Sequence, residues 1–327
     1  MEKLLNILVL LFVSTVTNAQ IVDFSFDQHT VCNVSFSVNT VENTISQLLT
    51  EINRAYFTKS SLKLSKIKME EEAKMKLCMY WSNMRFSCRE QLENQKCLKD
   101  VQGYQVRDIP VTLHPIDSTF HGNIERSIVI CLNKDGLISG VHTALNDQVY
   151  DCIVEIDDNV IGGTQRLEII KFMEVLKSCY NQKDLNTLGS IFNDDAVIIT
   201  GSIIKTNKRN DDIIADNRIT DHSRTRNETI NMLKRAAYDN KNIFVDVDFD
   251  DIKIEKKVIN GKERYGVTFK QKLQFDNYND EGSIFLILEI PEDGKPPVIH
   301  AQSWKPLKDG EDMDKENVLD KNDFPIP

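Results

Sequence analysis

Positive charge is in short supply in this chain: 40 Lys and Arg stand against 50 Asp and Glu, a net charge of −10. Nucleic-acid binding draws most of its affinity from basic side chains that neutralise phosphates, so this balance disfavours nucleic acid and anionic membrane surfaces as partners. Long apolar runs are missing after the first residues, so nothing downstream reads as a membrane-spanning helix. A glycine-rich phosphate loop is missing too, because Gly162-Gly163 precedes a helix without the further Gly or Lys that phosphate cradling uses. Ser202 and Ser283 adjoin single glycines and lack the second glycine of a nucleophile elbow, which leaves nucleophilic hydrolysis unsupported. Cys78, Cys88 and Cys97 lack the close paired spacing of a zinc site. Asp246, Asp248, Asp250 and Asp251 invite a calcium reading. An EF-hand loop starting at Asp246 needs Gly at its sixth position and Glu at its twelfth, where this chain has Asp251 and Lys257. Alternation with Ile243, Val245, Val247 and Phe249 fits a strand with its acids in water instead. No metal and no cofactor is expected.

The first residues read Met-Glu-Lys, then an apolar run from Leu4 to Val13 broken only by Asn6, then Thr17-Asn18-Ala19 with small residues where a signal peptidase needs them. This is the pattern of a secretory signal peptide over residues 1–19, and the run is shorter than the roughly 18 to 20 residues a spanning helix needs. Gln20 stands at the cleavage point and the first cysteine is Cys32, so a lipoprotein anchor is not indicated. The expected location is exported: bacterial periplasm, cell surface or secreted. Removing 19 of 327 residues leaves 308, about two domains at the usual ~150 each. Six of the seven cysteines precede residue 153 and only Cys179 follows. An oxidising compartment permits disulfides among them, and buried thiols acting as small hydrophobes are the other reading.

Helical spacing places Ile45, Leu48, Leu49, Ile52, Ala55 and Tyr56 on one face of a helix over 41–57, and Ala73, Leu77, Tyr80, Trp81 and Met84 on another. Tyr104, Val106 and Ile109 read as strand, as do two segments around the Lys134-Asp135-Gly136 turn. After an acidic, glycine-marked join (Asp157-Asp158, Gly162-Gly163), Ile169, Phe172, Leu176 and Tyr180 mark a further helix. Asp184 can cap the short helix of Leu185, Leu188 and Ile191. Phe192-Asn193-Asp194-Asp195 ends it and Ala196 to Thr200 begin a strand. Residues 205–225 read as a mobile polar loop and 227–239 as helix. Strands follow near 243–254, 264–275, 283–290 and 297–305, with turns at Asn260-Gly261, Asp280 to Gly282 and Asp293-Gly294. The domains are then 20–160, 161–306 and an acidic irregular tail, 307–327, with Phe324 its one anchor.

The halves also repeat. At an offset of 124, Tyr56, Lys59, Leu64, Ile67, Glu70 and Glu71 fall on Tyr180, Lys183, Leu188, Ile191, Asp194 and Asp195. At an offset of 158, Lys134-Asp135-Gly136 falls on Glu292-Asp293-Gly294 and His142 on His300. Self-similarity of this kind marks duplicated domains. The first half departs where Ala73 to Met84 is helical and the second half has its first strand.

Residues 165–305, with their helix pair, Phe192-Asn193-Asp194-Asp195-Ala196 corner and four later strands, resemble the SnoaL-like branch of the nuclear-transport-factor-2-like superfamily. The whole chain resembles secreted bacterial proteins that carry such a domain behind a related first one. The resemblance implies an α+β cone, a curved antiparallel sheet wrapped by helices around a pocket, here in tandem. Such cones host enzymes, binders and interaction modules alike. Enzymes of this superfamily, such as ketosteroid isomerase and scytalone dehydratase, work by a carboxylate or His base with Tyr or Asp donors in an apolar cavity. Alternation puts His300, Gln302 and Trp304 on one face of the last strand and Ile299, Ala301 and Ser303 on the other. On the pocket side His300 would be the base, Tyr180 its donor partner, and Arg264 or Gln271 the holder of an anion or carbonyl. Packing alone also explains each of these. The favoured expectation is therefore an exported, non-enzymatic binding or interaction module for a small ligand or protein, with a homodimer through the sheet face as one arrangement. The alternatives are an isomerase or dehydratase using a pocket His, and a cell-envelope scaffold acting through its tail and the 205–225 loop.

Overall fold

The computed structural model describes residues 21–116, 124–205, 217–238, 245–259, 261–275, 278–291 and 295–307. The expected signal peptide, the 307–327 tail with Phe324 and the Glu292 to Gly294 turn fall largely or wholly outside these residues. No described helix is long and apolar enough to cross a membrane. The chain divides into two α+β units, the first ending at Ala144 and the second starting at Leu145.

In the first unit, β1 (Asp23–Phe26) is followed by α1 (Val38–Phe57), α2 (Glu71–Asn83), β2 (Met84–Cys88), β3 (Gln91–Gln95), β4 (Cys97–Lys99), β5 (Gly103–Pro115), β6 (Ile124–Asn133) and β7 (Ile138–Thr143). β1 pairs in parallel with β3, while the main sheet runs β2-β5-β6-β7 with β4 also on β5. The stripe Ile45, Leu48, Leu49, Ile52 and Ala55 of α1 is fully buried, as its spacing requires. Ala73, Leu77, Tyr80 and Trp81 do the same for α2, whereas Met84 already belongs to β2. Gly136, at φ +79°, makes the β6–β7 turn.

In the second unit, α3 (Asp147–Val154), α4 (Gly163–Gln182) and α5 (Leu185–Ser190) lead into β8 (Phe192–Lys205), β9 (Asn217–Thr225), α6 (Arg226–Tyr238), β10 (Val245–Ile259), β11 (Lys262–Phe275), β12 (Tyr278–Glu289) and β13 (Val298–Pro306). The division falls before the Gly162-Gly163 join because Val149, Ile153 and Ile161 pack into the second unit's core. The sheet order is β10-β11-β12-β13-β8-β9. It is a curled sheet and largely antiparallel, but β13 and β8 pair in parallel, Ala301 opposite Val197, where an all-antiparallel sheet was expected.

Two further expectations give way. Residues 217–225 of the expected loop form β9, whose backbone ladder with β8 runs from Val197↔Thr225 to Lys205↔Asn217. Asp280 to Gly282 lie inside β12, Asp280 opposite Leu273 and Gly282 opposite Gln271. Gly282 is needed there for closeness, since a Cβ would come within 2.3 Å of the Trp304 indole nitrogen.

The core of the second unit lies between α4, α5 and one sheet face. Ile169, Phe172, Met173 and Leu176 meet Phe249, Val267, Phe269, Leu286 and Ile299, with Phe249 and Phe269 edge-on at 4.6 Å. Asp184 caps α5, accepting from the Thr187 N–H at 3.0 Å. β10 is an edge strand, and two asparagines satisfy its outward backbone: Asn181 accepts from the Val247 N–H and Asn146 donates to the Phe249 carbonyl, each at 2.8 Å.

The helix ends repeat at the 124 offset. Lys59 and Lys183 both adopt the left-handed conformation, at φ 51° and 57°. Lys59 N–H reaches Tyr56 O and Ser60 N–H reaches Ala55 O; Lys183 N–H reaches Tyr180 O and Asp184 N–H reaches Cys179 O. This is a Schellman-type closure made twice without glycine. Leu64 and Ile67 are buried, as are Leu188 and Ile191.

Candidate functional site

Strand alternation explains most of the second unit's core face. Tyr265, Val267, Phe269 and Gln271 on β11 stand opposite Leu288, Leu286, Ile284 and Gly282 on β12, and Leu286 and Ile284 stand opposite Gln302 and Trp304 on β13. Gln271 and Gln302 are buried, and the Trp304 ring packs against the core over Gly282. Tyr180, on the last turn of α4, brings its hydroxyl to the Gln302 amide. Burial pushes the Tyr180 phenol up to about 12, against the opposing pull of the Gln302 hydrogen bond. Four of the six expected site residues, Tyr180, Gln271, Gln302 and Trp304, thus belong to one face.

His300 does not join them. Ala301 pairs with Ile287 but Ile299 pairs with Leu288, so His300 is the extra residue of a β-bulge. The bulge resets the alternation: Ile299 and Gln302 both point to the core, and Ala301 packs with Ile287 on the opposite face. The His300 ring lies on that opposite face, its Nε2 3.0 Å from a Glu289 carboxylate oxygen. Arg264, the neighbour of core-facing Tyr265, is there too, Nη2 3.5 Å from the same oxygen, and Lys262 Nζ is 3.4 Å from the other. The expected grouping of His300 with Gln302 and Trp304 is therefore corrected by one inserted residue, while Arg264 and Gln271, the two candidates for holding an anion or carbonyl, take opposite faces of β11 by plain alternation.

The opposite-face group is electrostatically coupled. The His300 pKa is lowered from 6.5, first by burial and then by the Arg264 charge, while Glu289 works the other way. Burial works to raise the Glu289 pKa, but the Lys262 hydrogen bond and the His300, Lys262 and Arg264 charges together hold it below 4.5. Among the described residues Arg264 is 7% exposed, and its Nε and Nη1 have no hydrogen-bond partner.

Sequence reasoning missed Glu289 and Lys262, although β12 alternation past Ile287 sets Glu289 outward and offered the signal. It also missed Lys177, buried on the stripe that carries Tyr180, with Nζ 2.8 Å from Asp248. The β10 acids meet lysines rather than water alone, Asp251 with Lys270 at 2.7 Å and Asp250 with Lys272 at 3.5 Å. The Asp246 and Ile243 side chains lie outside the described residues. No group of His, Cys, Asp and Glu among the described residues could hold a metal ion. Among the described residues Cys32, Cys78, Cys88, Cys97 and Cys152 are free thiols, and burial pushes Cys88 and Cys97 up to about 12.

No family model matches the chain, and no curated protein matches it. Solved structures similar to it include an NTF2-like protein from Cytophaga hutchinsonii, at 16% identity over 44% of this chain and 98% of that one, TM-score 0.30. ActVI-ORFA from Streptomyces coelicolor is 11% identical over 43% of this chain and 96% of that one, TM-score 0.31. Bd1075 from Bdellovibrio bacteriovorus is 11% identical over 44% of this chain, TM-score 0.32, and the match spans 41% of its own length. NTF2-like proteins are thus among the structural neighbours. At these scores the likeness transfers no activity, ligand or partner.

Proposed function

We propose that this chain is an exported, non-enzymatic binding protein whose second unit takes a neutral ligand bearing carbonyl or hydroxyl groups on the Tyr180–Gln302 face. The observation that carries the reading is the His300 bulge. It leaves a phenol, two amides and an indole on the core face, groups that orient a polar ligand. None of those four exchanges protons near neutrality, and Tyr180 is driven further from it. The first unit fits a supporting role as a diverged copy, since it repeats the helix closure at Lys59 while Tyr56 stacks on His114 at 4.2 Å instead of bonding a glutamine.

One observation favours a second reading, an isomerase or dehydratase: His300 beside Glu289 is an imidazole held by a carboxylate, with a lowered pKa suited to a base. Its substrate would then lie on the face away from Tyr180.

A thermal-shift screen of neutral carbonyl- and hydroxyl-bearing molecules separates the two. The binding reading expects hits whose stabilisation disappears in Tyr180→Phe and Gln302→Leu and survives in His300→Gln. Hits that depend on His300 and ignore Tyr180 and Gln302 overturn it.

A further inference from the structure

Arg264 is a buried guanidinium with donors to spare. Its Nε and Nη1 are buried without a hydrogen-bond partner, and its carboxylate contact, to Glu289, is 3.5 Å long. Leaving buried charged donors unmet is costly, so a folded chain keeps such a group where a further acceptor meets it. The charges around it do not balance. Arg264 and Lys262 face one carboxylate, Glu289, and His300 is neutral near pH 7. Lys257, cross-strand from Arg264, adds nothing, because Glu255 lies 2.9 Å from its ammonium. One positive charge is left over.

We propose that Arg264, Lys262 and His300 form a binding site for a monovalent carboxylate, on the sheet face opposite the Tyr180–Gln302 group. A guanidinium offers planar N–H donors matched to carboxylate oxygens. A monoanion cancels the surplus charge, whereas a dianion such as hydrogenphosphate, the form of phosphate above about pH 7, would leave one negative charge beside Glu289. The same face continues from His300 and Glu289 into Ala301 and Ile287, with Val197, Ile199 and Phe285 packed against them. Ile287 and Ala301 are themselves buried, so the part of the ligand behind the carboxylate meets the half-buried Val197, Ile199 and Phe285, which favours a carboxylate on an apolar body: a short fatty acid or the C-terminus of an apolar peptide.

The test uses the full chain and follows the His300 imidazole by NMR while sodium butyrate, or the tripeptide Ala-Ala-Val with a free C-terminus, replaces sodium chloride at constant ionic strength. Butyrate and the peptide distinguish the two sources, and saturable binding of either supports the site. Bound carboxylate should raise the His300 titration midpoint, because a new negative charge joins Arg264, Lys262 and Glu289 around the ring. Glu289→Gln should tighten binding about tenfold by removing the competing charge, and Lys262→Gln should weaken it about fivefold. Arg264→Gln should abolish it. Glu289→Gln and Lys262→Gln keep the guanidinium and decide the matter whether or not Arg264→Gln folds. The site is refuted if neither probe moves the His300 signal, if Glu289→Gln fails to tighten binding, or if inorganic phosphate binds more tightly than butyrate.

Discussion

The two units close their first long helix alike and use the tyrosine beside that closure differently. Tyr56 and Tyr180 each precede a left-handed lysine, with the same pair of backbone hydrogen bonds around it. Tyr56 then stacks on His114 of β5, while Tyr180 reaches Gln302 of β13. The last strands diverge in the same way. His142 and His300 correspond at the 158 offset, but His142 pairs regularly with Val129, and the bulge of its strand falls at Ser139. His300 is itself the bulge. The two units share a backbone closure and differ in side-chain chemistry, so the helix end is scaffold and the position of one extra strand residue decides what a face can do.

The assignment of faces can be broken first by size. If Ile299 fills the core and His300 does not, Ile299→Ala should cost about 2–5 kcal/mol in denaturant unfolding, and His300→Ala should cost less than about 1 kcal/mol. The reverse order would put His300 inward.

A smaller effect sharpens the same contrast by pH. The folded pKa of His300 lies below its ordinary value of 6.5, so the unfolded chain takes up the proton first as pH falls. The stability linked to neutral His300 is complete above 6.5 and is lost as pH drops through the folded value. His300→Gln should flatten that loss. The Glu289 contribution, with a folded pKa below 4.5, is present above 4.5 and is lost only as pH falls further, so the two windows separate. A wild-type curve and a His300→Gln curve that run parallel from pH 7.5 to 5.5 would remove His300 from its charged surroundings.

Much of the scaffold was legible because it follows periodicity: the α1 and α4 stripes, the Asp184 cap and the existence of strands β11 to β13 all come from spacing and capping chemistry. The parallel β13–β8 ladder was not, because it joins segments a hundred residues apart with no turn to mark them. The site was half legible. Gln302, Trp304, Gln271 and Tyr180 lie where alternation and helix spacing put them, while His300 does not, because a bulge adds a residue without a sequence signature and inverts everything on one side of it. Gly282 misled for a related reason: it reads as a turn residue and is in fact the strand position over which the Trp304 ring lies.

His300 and Tyr180 lie on opposite sides of the sheet, a placement that proton–proton Overhauser contacts from a selectively labelled His300 ring can decide. The His300 ring should show contacts to the Glu289 and Arg264 side chains and none to the Tyr180 ring. Contacts between the His300 and Tyr180 rings would contradict it.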